Sequence, residues 1–150
     1  MIRATAIVRR PAVRPERIAD RITLDHGDRH RRRIALTGQG GLSFLLDLDR
    51  AAVLEDGDAV ALEDGRLVEV RAAPERLVEI TSEDPLLLKK VIWHLGNRHV
   101  PTEVTDNAVY IVEDHVLIDM VRGLGATAAR VQRPFCPERG AYDAGHEHVH

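Results

Sequence analysis

A chain of 150 residues suits one ordinary domain or two small ones. Apolar residues make up 44% of it and aromatic residues only 3%, so any core must be aliphatic. The net charge of -3 gives no bulk basicity for nucleic acid or an anionic membrane, and the single cysteine, Cys136, excludes an intrachain disulfide. No apolar run approaches the roughly 20 residues of a membrane span. The opening "MIRATAIVRRP" has no signal-peptide apolar region. The expectation is a soluble cytoplasmic protein.

In chain order, residues 1–73 read as all-β. "RATAIVRR", "RIADRITLDH", "RRRIALTG", "LSFLLDLD", "DAVALEDG" and "RLVEVRAA" are short segments of roughly alternating apolar residues, separated by the turns "HGD", "GQGG", "EDGD" and "EDGR". Asp64-Gly65 is a hairpin signal. The spacing predicts a small sandwich or barrel. Pro74-Glu75 breaks the β pattern and marks a boundary. Beyond it, Arg76 to Thr81 predicts a strand, followed by a helix with Asp84 as N-cap, Pro85 at the first helical position and Gly96 at the position after the C-cap. Leu87, Leu88, Val91, Ile92 and Leu95 share one face of that helix. "TEVTDNAVYIV" predicts two short strands around Asp106-Asn107. "EDHVLIDMVRGLG" predicts a helix capped by Asp114 and ended near Gly123 or Gly125, with Leu117, Met120, Val121 and Leu124 as its stripe. "TAARVQRPF" supplies a last strand. The order β-α-β-β-α-β is the ferredoxin-like split arrangement.

The fold class is therefore α+β. A β domain covers 1–73, a ferredoxin-like domain covers 74–135, and a flexible tail covers 136–150, where "CPERGAYDAGHEHVH" has little to pack. Each half is about 70 residues, a size at which one core is marginal, so a homodimer or firm interdomain packing would help.

Chemistry, where it is visible at all, lies in the eight histidines. His94 sits at the edge of the first helix's apolar face, a half-buried boundary position. His26 and His30 flank a turn as solvated loop residues. His115 starts the second helix as a surface residue or an auxiliary ligand. His99 follows a helix stop and precedes Pro101, which restricts Val100 to extended backbone. One loop imidazole cannot make a metal site unless a two-fold axis brings it against its copy. His146, His148 and His150 place three imidazoles within five residues, interleaved with Glu147 and Val149, a pattern unlike an uninterrupted affinity tag. Imidazole suits nickel, copper and zinc, and short histidine-rich tracts point to metal binding. Cys136 is a soft ligand type near the base of that tail, with no CxxC partner. "GLGATA" (residues 123–128) follows a helix and precedes a strand, the wrong order for a dinucleotide site. No GxSxG, P-loop or HExxH is present, and no pattern supports an enzyme.

"LGNRHVP" (residues 95–101), "EDHVLIDMVRGLG" (residues 113–125) and "PFCPERGAY" (residues 134–142), followed by the histidine-bearing tail, resemble the UreE family of urease accessory proteins, which are nickel metallochaperones. "DRHRRRIALTG" and the stretch from "FLLDLDRAAV" to "VRAAPE" resemble that family's N-terminal domain, so the likeness covers nearly the whole chain. It implies an N-terminal domain for protein contacts and a ferredoxin-like metal-binding domain. It further implies a homodimer in which His99 meets its symmetry mate to bind Ni2+; by ligand type, Zn2+ or Cu2+ could substitute. Tail residues His146, His148 and His150 would add ligands. The implied partners are the urease apoenzyme and its accessory GTPase complex, with neither nucleic acid nor membrane. Some members carry a second histidine just before the position of His115, where this chain reads "YIVEDH", and some carry longer histidine tails. Two other readings remain open. One is a zinc or copper buffer without a urease connection. The other is a nucleic-acid-binding ferredoxin-like protein using Arg29 to Arg33, against which the net acidity and the tail both argue.

Overall fold

A computed structural model describes residues 1–140. The chain divides into two compact units, Met1–Ala73 and Pro74–His150.

The first unit holds β1 (Arg3–Val8), β2 (Ile18–Leu24), β3 (His30–Thr37), β4 (Ser43–Val53), β5 (Ala59–Leu62) and β6 (Leu67–Ala72). They form one sheet in the order β2-β6-β5-β1-β4-β3. β1 runs parallel to β4 and β2 parallel to β6, and the other pairings are antiparallel. Alternate residues face inward: Ile22 and Leu24 from β2, Phe44, Leu46 and Leu48 from β4, and Val68 and Val70 from β6 share one aliphatic core. The turn at Asp64-Gly65 joins β5 to β6, with Gly65 at φ +91° as the hairpin chemistry requires.

The turn after β3 folds back to β2 and is clamped there by one carboxylate. Asp20 accepts hydrogen bonds from the backbone N–H groups of Arg21 (2.8 Å), Gly40 (2.8 Å) and Leu42 (3.1 Å). The Gly40 N–H, then those of Arg21 and Leu42, hold this carboxyl below the usual aspartate range, because they favour its charged form. A side chain at Gly38 would collide with the same carboxylate, which accounts for glycine at that position.

The sequence predicts only a turn around His26, but a short helix, α1 (His26–Arg29), forms there. The Asp25 side chain caps it by accepting from the Asp28 N–H at 2.8 Å. Arg29 is fully buried beneath it and donates to the Leu24 and Leu54 carbonyls. Arg29 is therefore not open to solvent as the nucleic-acid reading of Arg29 to Arg33 requires. Arg29 is used on backbone carbonyls, that of Leu24 also accepting from the Ala73 N–H at 2.8 Å.

The second unit contains β7 (Pro74–Thr81), α2 (Pro85–Asn97), β8 (Glu103–Val104), β9 (Val109–Val112), α3 (His115–Gly123) and β10 (Thr127–Pro134). The sheet order β10-β7-β9-β8 is that of the ferredoxin-like fold. Pro74 does not break the β pattern but begins β7, opposite Pro134 of β10. Neither proline carries an N–H, so the ladder starts where both can be accommodated. Val78, Ile80, Val109 and Ile111 form a core with α2 and α3. Val91 and Leu95 are the buried centre of the α2 stripe, with Leu87, Leu88 and Ile92 packed beside them. On α3 the buried residues are Val121, from the predicted stripe, and Ile118, beside it, with Leu117, Met120 and Leu124 partly buried against the same core.

If the clamp closes the first unit, Asp20→Ala lowers its thermal midpoint at neutral pH. The folded-state pKa is depressed, so the stabilisation is complete above the unfolded value of about 3.9 and fades as pH falls through the lower folded value. Melting curves of parent and variant should therefore converge as pH falls below the unfolded value of about 3.9. A constant gap across that range would show that the charge on Asp20 contributes nothing.

Candidate metal site

The sequence predicts that α2 ends with Gly96 beyond the C-cap. Instead Gly96 lies inside the helix and Arg98 is the C-cap. The chain then turns into the left-handed region at His99, φ +58°, the one non-glycine residue with positive φ among the described residues. The His99 N–H donates to the Gly96 carbonyl at 3.0 Å and the Val100 N–H donates to the Leu95 carbonyl at 3.1 Å. These two bonds define a Schellman closure, and Leu95 and Val100 pack in the same core as its hydrophobic contact.

α3 ends the same way, with a different residue at the critical place. Gly125, φ +102°, donates to the Arg122 carbonyl at 3.0 Å, and Ala126 donates to the Val121 carbonyl at 3.2 Å. One unit thus holds two copies of one closure, with glycine in one and histidine in the other. A left-handed L-residue costs roughly 1–2 kcal/mol, and glycine avoids that cost. Histidine tolerates the region better than most residues but worse than glycine. Strain at such a position is characteristic of a side chain kept for its chemistry.

His99 is exposed, at the start of the connector from α2 into β8. Val100 is partly buried and Pro101 follows it, so the backbone on that side is restricted too. The imidazole is therefore presented to solvent on a fixed backbone. Trp93 and Leu86, on the outer side of α2, are 64% and 57% exposed. The Trp93 ring meets His94 edge to face, centroids 5.1 Å apart. His94 is half-buried, as its place on the helix predicts, and His115 is exposed at the start of α3.

Among the described residues no three His, Cys, Asp or Glu side chains gather as a metal cluster. His146, His148 and His150 lie outside the described residues. Cys136 is half-buried, and its backbone N–H donates to Glu103 Oε1 at 2.9 Å. Of the basic run, Arg31 lies 3.6 Å from Asp28 and Arg32 donates to the Leu48 carbonyl.

The family described as UreE urease accessory protein matches twice, its N-terminal domain over residues 4–73 and its C-terminal domain over residues 75–150. The urease accessory protein UreE of Azorhizobium caulinodans is 63% identical over the whole chain, which spans 72% of that protein. The UreE of Rhodopseudomonas palustris strain HaA2 is 57% identical over 88% of the chain, which spans 61% of it. That of Chelativorans sp. is 45% identical over 99% of the chain and 94% of its own length. The two-unit α+β fold and these matches define the chain as a urease accessory protein. Within that class it belongs to the UreE family.

If His99 is retained for chemistry at a cost in stability, His99→Gly should raise the melting midpoint of the metal-free protein. Relief of the left-handed strain, less the entropy cost of glycine, leaves a gain of up to about 1 kcal/mol. A fall in midpoint would mean that the imidazole itself stabilises the turn, and the argument from strain would not stand.

Proposed function

We propose that this chain is a nickel metallochaperone, a carrier and not a catalyst, that delivers Ni2+ to the urease apoenzyme in the cytoplasm. The reading is supported by family membership and carried by one observation, the strained, exposed imidazole of His99 where the sister helix end uses Gly125. Nickel is here the cargo. One imidazole is too few, and a two-fold axis through the α2 end would pair His99 with its copy. The exposed Trp93 and Leu86 on that helix favour such a self-contact, since large apolar side chains in solvent gain by burial. His146, His148 and His150 add imidazoles to the paired site. Docking to the apoenzyme and its accessory GTPase complex falls to the N-terminal unit. Zn2+ and Cu2+ compete at imidazole ligands, so selectivity for nickel depends on geometry and supply.

In this reading His99→Ala removes the tightest nickel site and leaves the dimer folded. Calorimetry on the parent should give about one tight Ni2+ per two chains, as a shared symmetric site requires. One independent tight metal per chain that survives the substitution would overturn the shared site. Repeating the titration with Zn2+ and Cu2+, and with urease activation as readout, separates delivery from buffering.

Binding should also be proton-linked. An imidazole nitrogen coordinates only when unprotonated, so affinity falls as pH drops through about 6.5. With His99, its copy and tail histidines all as ligands, the slope of log affinity against pH below that point should exceed one. Affinity that stays flat from pH 7.5 to 5.5 would exclude an imidazole site.

A further inference from the structure

The chain beyond β10 does not leave the fold at Phe135. It crosses the sheet face opposite the helices, from the β10 edge to the β8 edge. Phe135 is fully buried, packed with Leu77, Ala108 and Tyr110. Glu103, only 8% exposed, uses both carboxylate oxygens there. One accepts from the Cys136 N–H at 2.9 Å, the other from Arg133 at 2.9 Å. The Arg133 guanidinium lies 3.9 Å over the Tyr110 ring, and the Tyr110 hydroxyl donates to Glu79 at 2.9 Å. The crossing ends where the Glu138 N–H donates to the Thr102 carbonyl at 2.7 Å and a Glu138 carboxylate oxygen accepts from the Val104 N–H at 3.4 Å. Glu138 thus covers the outer edge of β8, which would otherwise present unpaired backbone.

The geometry is economical. Three steps between neighbouring strands span roughly 14 Å, and the four residues from Pro134 to Glu138 reach about that far when extended. The crossing therefore moves the root of the histidine-bearing segment across the whole sheet. It arrives at Thr102, three residues after His99. Had the chain left at Pro134, its root would lie at the far edge.

We infer that Phe135–Glu138 is a tether, with Glu103 as its positioning residue, that fixes the root of the terminal histidine segment beside His99. Three residues of chain place Glu138 within roughly 15 Å of His99. His146 follows Glu138 by eight residues, a maximum reach of roughly 28 Å, which exceeds the roughly 15 Å between Glu138 and His99. A root held this close raises the effective concentration of the terminal imidazoles at His99 without any new contact to metal. The inference rests on the carrier reading for its purpose, but the tether itself is a property of the metal-free chain.

Two arms test it on the full chain. In the first, Glu138→Pro deletes the N–H that donates to Thr102 and leaves the core untouched. Glu103→Gln serves as a second variant that weakens the hold on Arg133 and Cys136. Nickel affinity is measured for parent and variants, each with and without residues 141–150. A several-fold loss with the terminal segment present, and none without it, is the expected pattern for lost effective concentration. The same loss in both backgrounds would mean a merely structural role and would overturn the tether. In the second arm no metal is present. Energy transfer is measured from Trp93, the sole tryptophan, to an acceptor on His148→Cys in a Cys136→Ser background. Transfer should fall when Glu138→Pro is added. Unchanged transfer would overturn the tether whatever the metal arm gives. A fall in transfer together with nickel affinity indifferent to the terminal segment would instead retain the tether and reject the tail as a ligand source.

Discussion

A helix must close its last carbonyls, and α2 does so by forcing the chain into the left-handed region at residue 99. Much of what is distinctive about the second unit depends on that closure. The two Schellman bonds reverse the chain, and the contact of Leu95 with Val100 locks the reversal into the core between helices and sheet. Pro101 then commits the backbone to extended geometry on its way into β8. Residue 99 is left pointing outward from a place with little backbone freedom. Fixing a ligand in advance lowers the ordering cost of binding. The cost appears instead in the folded protein, as a left-handed L-residue where Gly125 shows that glycine would do.

The first unit solves a different problem. An open sheet of six strands exposes two edges, and here the turn after β3 is brought to β2 by a carboxylate with three N–H donors. The buried Arg29 does the complementary job with carbonyls. Asp58, only 2% exposed, ties a third loop by accepting from the Arg10 and Glu55 N–H groups and from Arg9. With few aromatics to fill a core of aliphatic residues, ionised side chains on backbone groups take up much of the work of fixing loops. Charge-assisted bonds of this kind are about twice as strong as neutral ones.

Much of the architecture was legible in the sequence because its signals are local. Alternation marked the six strands, Asp84 with Pro85 and Asp114 marked the helix starts, and the element order gave the ferredoxin-like sheet. What failed was decided by contacts distant in sequence or by packing. Gly96 resembles a helix stop, but the end of α2 is set by where Leu95 and Val100 meet the core, so the helix runs on past the glycine. Pro74 resembles a breaker until its partner Pro134 is known. Arg29 belongs to a polar run by composition, yet its guanidinium serves carbonyls 5 and 25 residues away. The segment after Phe135 appears featureless, because the side chains that hold it, Glu103 and Tyr110 among them, lie on other strands. Of the candidate ligands, only His99 acquired a structural argument. Its signal was its position between a helix end and a proline, which identified the connector without showing the strain.

For a carrier, strength of binding is only half of the requirement, because the metal must also leave. A site made wholly of rigid, buried ligands releases slowly. One whose ligands differ in attachment can exchange them one at a time. In the proposed arrangement His99 is fixed by the helix end, whereas the chain leading to the terminal imidazoles is held where Glu138 meets Thr102. On that proposal the terminal ligands would give way to those of an acceptor while a His99 pair still held the ion, so no step would require every bond to break at once. Proton release on binding adds a second control, since each imidazole freed in transfer becomes available to a proton at mildly acidic pH. The strained turn and the crossing segment use unrelated interactions, yet both deliver their residues to the entry of β8. That shared destination is what the proposed transfer site on the exposed edge of a small domain would require.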